Sequence, residues 1–324
     1  MIRTPRRTLS TNDGMPHLIP NSEVARYSAG PSVTTTSSIA AFQTAIRAAL
    51  GDDYETFLEG SYKNDTAIRD INDVDIVAIR RTTVSTVFSE ERFPTSVTWD
   101  AIFSEAQARL GSAPRFRGKV TRGDKCLNVD EAWHADVIPA VRILRYDQDP
   151  IAVYSFREAS ERKNWPRVHY DNGVAKHRTT NQSFKPIVRM FKAWVANQWP
   201  QQSPAPSFYV ECLISNVPDD RFGQDLASAF FSVGYWIEQN IRADVPPVVW
   251  SVARDKDILV ANEWHPDKYA VFLQQVTIST SYAAGALQAT TVAEATRLWR
   301  RAFNEWGFRE WCGWNHAPDH AQAG

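Results

Sequence analysis

The stretch from Gly60 to Ile79, GSYKNDTAIRDINDVDIVAI, constrains this chain more than any other. A strand-like run, Tyr54 to Leu58, leads into a Gly-Ser pair, and a second apolar run then opens with Asp73-Val74-Asp75. Alternate residues of a strand share a face, so Asp73 and Asp75 point one way while Val74 and Ile76 point into the fold. Two carboxylates this close repel each other, and a fold keeps them together only where something cationic neutralises them. A hard divalent cation such as Mg²⁺ does so, because it takes oxygen ligands and keeps positions for substrate phosphates. Glycine lets the backbone approach a phosphate closely, and the Ser61 hydroxyl and the amides around it can donate to phosphate oxygens. Together these features describe a site for a nucleoside triphosphate. A D-x-D pair alone is weak, since strand ends carry it by chance and glycosyltransferases use it with a metal and a nucleotide sugar. The Gly-Ser pair at its fixed distance, with Lys63, Thr66 and Arg69 between, sets this one apart.

A chain of 324 residues suffices for one large bilobal unit or two domains. Its 43% hydrophobic residues and 12 Trp can fill a sizeable core. A net charge of −1 gives no strongly basic domain of the kind that binds nucleic acid. Cys126, Cys212 and Cys312 lie too far apart for a zinc ribbon or a disulfide framework, which predicts a cytoplasmic protein. The N-terminus has arginines without an apolar signal core, and no apolar run reaches the ~20 residues that span a bilayer, so no membrane is expected.

In order along the chain, residues 1–30 are rich in Pro, Ser, Asn and Gly and read as an arm over the surface. A helix capped by Ser37 or Ser38 carries Ile39, Phe42, Ile46 and Leu50 at helical spacing and stops at Gly51. After Arg81 a Ser/Thr-rich loop with Pro94 leads to a helix near Trp99 to Leu110, with Ile102, Phe103, Ala106 and Leu110 on one side. Residues 116–145 read as two or three strands, FRGKV, KCLNV and ADVIPAVRIL. The last sets Asp136 in an apolar run, where an unpaired carboxylate is costly to bury. Its partner is either Arg142, Arg145 or another base, as an ion pair, or a metal shared with the first two acids. His134 is read as a packing or hydrogen-bonding residue. Residues 157–192 hold nine Lys and Arg against three acids. A helix near Phe184 to Gln198 buries Ile187, Met190, Phe191, Trp194 and Val195 and carries Lys185, Arg189 and Lys192 on another face, which by default is solvated. Helices follow over Phe222 to Ile241, Pro266 to Gln275 and Thr291 to Trp306. The last has Ala293, Leu298 and Phe303 inside and an Arg297, Arg300, Arg301 cluster that faces water by default, a nucleotide or a nucleic acid being the alternatives. The expected domains are an arm (1–30), a catalytic core (31–155), a mostly helical lobe (156–314) and a flexible tail (315–324).

GSYKNDTAIRDINDVDI resembles the signature of the DNA polymerase β-like nucleotidyltransferase superfamily, G-S followed by an h-D-h-D strand. In particular it is similar to the bacterial relatives of cyclic GMP-AMP synthase, the dinucleotide-cyclase-like enzymes of anti-phage signalling. The resemblance implies an α+β, bilobal polymerase β-like fold, a mixed sheet with flanking helices plus a helical C-terminal lobe. It also implies an enzyme that joins nucleoside triphosphates, ATP and GTP, into a cyclic di- or trinucleotide second messenger. A ribose hydroxyl attacks an α-phosphate and pyrophosphate leaves, with two Mg²⁺ ions for which Mn²⁺ can substitute. By the same resemblance Asp136, in His134-Ala-Asp-Val-Ile-Pro, is the third catalytic metal ligand beside Asp73 and Asp75. Gly60, Ser61 and Lys63 belong to the nucleotide site, and Lys192 in Val-Arg-Met-Phe-Lys-Ala-Trp reaches the donor triphosphate. Ser207 touches the triphosphate and Phe208 stacks on the donor base, core packing being the alternative for Phe208. A small terminal residue, Gly324, suits attachment by a ubiquitin-transfer-like accessory protein; a downstream effector binds the product, and nucleic acid is not required. The chain has no zinc insertion, and the stretch after Asp255 fits the family loosely. Transfer to RNA ends or to an antibiotic, and a catalytically silent nucleotide-binding protein, are the competing readings.

Overall fold

The computed structural model describes residues 17–69, 73–88, 97–144, 148–223, 225–244, 247–260 and 263–305. The tail 315–324, Cys312 and Arg145 lie outside them. A helix, α1 (Asn21–Ser28), precedes α2 (Val33–Leu50), β1 (Tyr54–Leu58), the short turn α3 (Gly60–Lys63) and β2 (Asp73–Val84). Then come α4 (Trp99–Ser112), β3 (Val120–Arg122), β4 (Leu127–Asp130), β5 (His134–Arg142), β6 (Ile151–Ser155) and β7 (Ser160–Asn164). The rest is helical: α5 (Pro166–Thr179), α6 (Phe184–Gln198), α7 (Ser207–Ser215), α8 (Leu226–Asn240), α9 (Pro266–Gln288) and α10 (Val292–Ala302).

The seven strands form one mixed sheet in the order β1-β2-β5-β4-β3, with β6 joined to β5 and β7 to β6. Only β2 and β5 run parallel among these pairs, which requires a long crossover; α4 lies in it. One sheet face buries Val74, Ile76, Ala135 and Val137 against Ile39, Phe42 and Ile46 of α2 and Phe103, Ala106 and Leu110 of α4. The opposite face carries Phe57, Val77, Ile79 and Ala140 and turns toward the helical lobe. That lobe has its own core around Trp194, Trp264 and Trp299, each fully buried.

Several elements differ from the sequence expectation. Helix α2 starts at Val33, because Ser32 caps it by accepting from Thr35 N. The arm contains α1, whose Val24 and Tyr27 pack into the helical lobe; eight residues are too few to show a period. Of the expected FRGKV strand only Val120 is in a strand, which runs Val120–Arg122, and the sheet runs on to Asn164, past the boundary expected at 155, because Ser-Glu-Arg-Lys-Asn has no apolar alternation to reveal it. Helix α9 continues past Gln275 to Gln288, and α10 buries Ala295 and Trp299 while Ala293 is exposed. Arg300 is paired with Glu23 of α1 at 2.6 Å rather than facing only water. Among the described residues no helix is long and apolar enough to cross a membrane.

Candidate active site

The turn after β1 explains its glycine. Gly60 has φ +67°, a conformation costly for other residues. A Cβ there would overlap Asp75 Oδ2 and lie 3.0 Å from Asp75 Cγ. Glu59 N donates to the Asp75 carbonyl at 2.9 Å, and Thr66 N closes the turn onto Ser61 O at 2.8 Å. The Gly-Ser turn is thus seated directly on the second acid.

The acids are brought together by register. In the parallel β2/β5 pair, Asp75 stands opposite Asp136 and Asp73 opposite His134, so all three carboxylates share the face that turns toward the helical lobe. Burial, and after it the charges of Asp136 and Asp73, push the Asp75 carboxyl up to about 6. Asp136 Oδ1 is buried and accepts no hydrogen bond; its nearest basic group is His134 Nε2 at 3.5 Å. His134 is itself bound to Asp130 at 2.5 Å, and that hydrogen bond raises its imidazole pKa. Arg142, one of the ion-pair partners considered for Asp136, goes to Glu55 at 2.6 Å. A carboxylate oxygen without a hydrogen bond beside a carboxyl whose pKa burial and like charge raise is a donor set that a divalent cation would neutralise. Among the described residues no three His, Cys, Asp or Glu side chains close into a ready cation cage. A Mg²⁺ held by these acids would need its remaining oxygens from substrate and water.

Beside the acids a cavity of about 670 Å³ separates the sheet from α5, α6 and α7, within the size range of small-molecule sites. Gly60, Ser61, Lys63, Asp75, Lys192, Ser207 and Phe208 all line it. Lys63 Nζ lies 4.6 Å from the centre of the Tyr170 ring. Phe208 is 41% exposed, which removes the core-packing reading. Its ring sits 5.7 Å from that of His169 and 5.4 Å from Lys256 Nζ. The basic face of α6 is not solvated: Lys185 and Lys192 are buried. Lys185 and Arg189 reach Asp65 at 3.9 and 3.2 Å, and Lys192 Nζ binds Glu211 Oε2 at 2.8 Å and Thr66 Oγ1 at 3.0 Å.

Sequence reasoning missed three residues of this wall: Glu59, His169 and Glu211. Glu59 accepts from Asn164 Nδ2 at 2.7 Å, and burial pushes its carboxyl up to about 7 despite that bond. His169 Nε2 lies 3.0 Å from Glu211 Oε1. Burial alone would raise the Glu211 carboxyl, but the Lys192 ammonium and His169 outweigh it and hold it below the usual carboxylate range. The signal for Glu211 was an acid inside the apolar helix Val210 to Ile214, the same signal that singled out Asp136.

Residues 171–278 match the family model of the cGAS/DncV-like nucleotidyltransferase C-terminal helical domain. The cyclic UMP-AMP synthase of Rhodothermus marinus is 34% identical over 255 residues, covering 70% of this chain and 85% of the relative. The cyclic dipurine nucleotide synthase of Elizabethkingia meningoseptica is 28% identical over 210 residues, 57% of this chain and 71% of that one. The solved structure of the Rhodothermus marinus c-UMP-AMP synthase with Apcpp and Upnpp superposes with a TM-score of 0.64 at 25% identity, covering 94% of this chain and all of that one. The expected fold, a polymerase β-type mixed sheet with a helical C-terminal lobe, is therefore the one this chain adopts. On that identity and coverage, the chain belongs to the cGAS/DncV-like nucleotidyltransferases, the enzyme family of the cyclic nucleotide synthases.

Proposed function

We propose that this enzyme joins nucleoside triphosphates into a cyclic di- or trinucleotide messenger of anti-phage signalling in the cytoplasm, with the sheet core, which runs to Asn164, and the helical lobe after it enclosing the substrates. The observation that carries the reading is the β2/β5 register, which aligns Asp75 with Asp136, whose buried Oδ1 accepts no hydrogen bond. ATP is one substrate; UTP or GTP is the second, since the Rhodothermus marinus relative is a cyclic UMP-AMP synthase and the Elizabethkingia meningoseptica one a dipurine synthase.

Asp73, Asp75 and Asp136 would hold two Mg²⁺ ions, or Mn²⁺ in their place. Bound there, the ions supply a lowered pKa for the attacking ribose hydroxyl and neutralise charge on the leaving pyrophosphate. The ribose oxygen bonds to the α-phosphorus as the bond from that phosphorus to the bridging oxygen breaks. Ser61 and Ser207 donate hydrogen bonds and Lys192 a charge-assisted one to the donor triphosphate, while Lys63 adds positive charge at the rim. Phe208, exposed beside His169, offers a face for the donor base. Positioning and fixed charge do most of the catalysis. Recognition of the product by an effector completes the proposal.

The test is incubation of the purified protein with the four ribonucleoside triphosphates and Mg²⁺, with products read by mass spectrometry. A cyclic product with pyrophosphate release is expected, and Asp73→Ala with Asp75→Ala should abolish it. Turnover that persists in the double variant would refute the site, and products seen only when RNA or an antibiotic is added would refute the cyclase reading.

A further inference from the structure

The acid that binds Lys192 has more to hold than one lysine. The Glu211 side chain is 4% exposed, on a helix whose neighbouring Val210, Cys212, Leu213 and Ile214 are buried apolar residues. A carboxylate in such a place is strongly disfavoured unless its oxygens are fully engaged, and here they are. Oε2 takes Lys192 Nζ at 2.8 Å and Thr66 Oγ1 at 2.7 Å. Oε1 takes Asn64 Nδ2 at 3.4 Å and faces His169 Nε2 at 3.0 Å. The partners come from two lobes: Asn64 and Thr66 follow the Gly-Ser turn of the sheet lobe, while His169 and Lys192 sit on α5 and α6.

The donor count matters as much as the distances. A lysine ammonium has three N–H groups, and two of those on Lys192 are given to Glu211 and Thr66. The third remains for a ligand in the cavity that Lys192 lines. Lys192 can therefore meet an anion without leaving Glu211. Thr66 in turn gives its one hydroxyl proton to Glu211 Oε2 at 2.7 Å, while its backbone N–H donates to the Ser61 carbonyl at 2.8 Å, so the same carboxylate reaches back through Thr66 to the serine of the turn.

We propose that Glu211 is a positioning residue for the triphosphate site, a single buried carboxylate that ties the Gly-Ser turn of one lobe to Lys192 and His169 of the other. It touches no reacting atom. It sets the distance between the two groups expected to grip the triphosphate, Ser61 and Lys192, and so keeps the site assembled before substrate arrives. The latch itself is independent of the nucleotide reading; what it positions rests on that reading.

Two measurements separate these layers. The first is backbone hydrogen exchange over residues 60–66 of the full chain without nucleotide. Glu211→Gln, which keeps the size of the side chain and removes its charge, and Thr66→Val, which cuts the link from the turn side, should both speed exchange there while the sheet amides of β2 and β5 keep their protection. The second is calorimetric binding of a non-hydrolysable ATP analogue with Mg²⁺ to wild type, Glu211→Gln, Lys192→Met and the double variant. If Glu211 acts through Lys192, each single change weakens binding about tenfold and the double is within about twofold of Lys192→Met alone, the non-additivity expected of residues in one network. A purely structural Glu211 would give additive losses, and that outcome, or unchanged exchange in both variants, overturns the proposal. Faster exchange in a chain whose wild type binds no analogue supports the latch and removes the nucleotide reading.

Discussion

Replacing Asp75 by Asn should make the metal-free protein more stable and catalytically dead. Burial, helped by Asp136 and Asp73, raises the Asp75 carboxyl from 3.8 to about 6. At about 1.36 kcal/mol per pH unit, that is a penalty of roughly 3 kcal/mol for holding the group ionised in the fold, an upper figure because the acids relax on losing one charge. The sign follows from proton linkage. The folded state binds the proton more tightly than the unfolded chain, so this contribution to stability is fully present below pH 3.8 and is lost as pH rises through about 6. Asparagine has no proton to lose, and its amide is a donor that can face Asp136 Oδ1, which accepts no hydrogen bond. At pH 8 in EDTA the variant should therefore melt higher than wild type, by on the order of 5 °C, and at pH 3 the advantage should vanish. Saturating Mg²⁺ should raise the wild-type midpoint and leave that of the variant nearly unchanged, because a ligand stabilises only the state that binds it. Thermal unfolding followed by circular dichroism at the two pH values, with and without Mg²⁺, reads all of this. A variant that melts lower than wild type at pH 8 in EDTA would show that Asp75 is held by a structural partner rather than poised for a cation, and the site assignment would fall with it.

Gly60→Ala combines a left-handed backbone cost of about 1–2 kcal/mol with a Cβ that overlaps Asp75 Oδ2. Pyrophosphate release should fall roughly a hundredfold through misplacement of the acid, with the far-ultraviolet spectrum retained; near-normal turnover would contradict the seating of the turn on Asp75. Phe208→Ala removes a side chain that is 41% exposed, so the melting midpoint should hold. The KM for the donor nucleotide should rise about tenfold, since stacking on a base is worth about 1–3 kcal/mol; an unchanged KM would exclude stacking. Tyr27→Ala deletes a ring that is 3% exposed and stacked 3.7 Å from Phe303. A loss of about 3–5 kcal/mol in urea unfolding is expected, against less than about 1 kcal/mol for Arg300→Ala in its exposed pair with Glu23; a negligible Tyr27→Ala effect would mean that α1 is only draped on the lobe.

What could be read along the chain was what lies within a turn or two of itself. Ile102, Phe103, Ala106 and Leu110 repeat at helical spacing and all four are buried in α4. The stripe of α6 likewise gave a helix over Phe184–Gln198, as observed. Helix α5 was missed because its only buried residue is Gly173; a helix without an apolar stripe leaves no period to find. Helix α9 was cut short because Thr-Ile-Ser-Thr-Ser reads as poor helix former. Tertiary contacts override that weakness: Ser279 and Thr280 are buried, and Ser279 Oγ accepts from Trp194 Nε1 at 2.8 Å.

The site was legible to the extent that its chemistry is written into single strands. Asp73 and Asp75 share a face by the two-residue period alone, and an acid in the apolar run around Asp136 announces that something must satisfy it. Which partner does so is a question of strand order, and no local pattern states that β5 lies parallel to β2 with Asp136 level with Asp75. The basic face of α6 shows the same limit from the other side. Lys185, Arg189 and Lys192 look like a solvated surface until the Gly-Ser segment folds over them and offers Asp65 and Thr66. Glu211 then completes the pairing, because a lysine buried beside a future polyanion needs a resident counter-charge while the anion is absent. An acid within an apolar helix and a basic face on the helix before it are thus better read jointly than singly. The acid alone predicts a costly burial, the base alone a solvated surface, and together they predict the contact that joins α6 to α7 at the cavity.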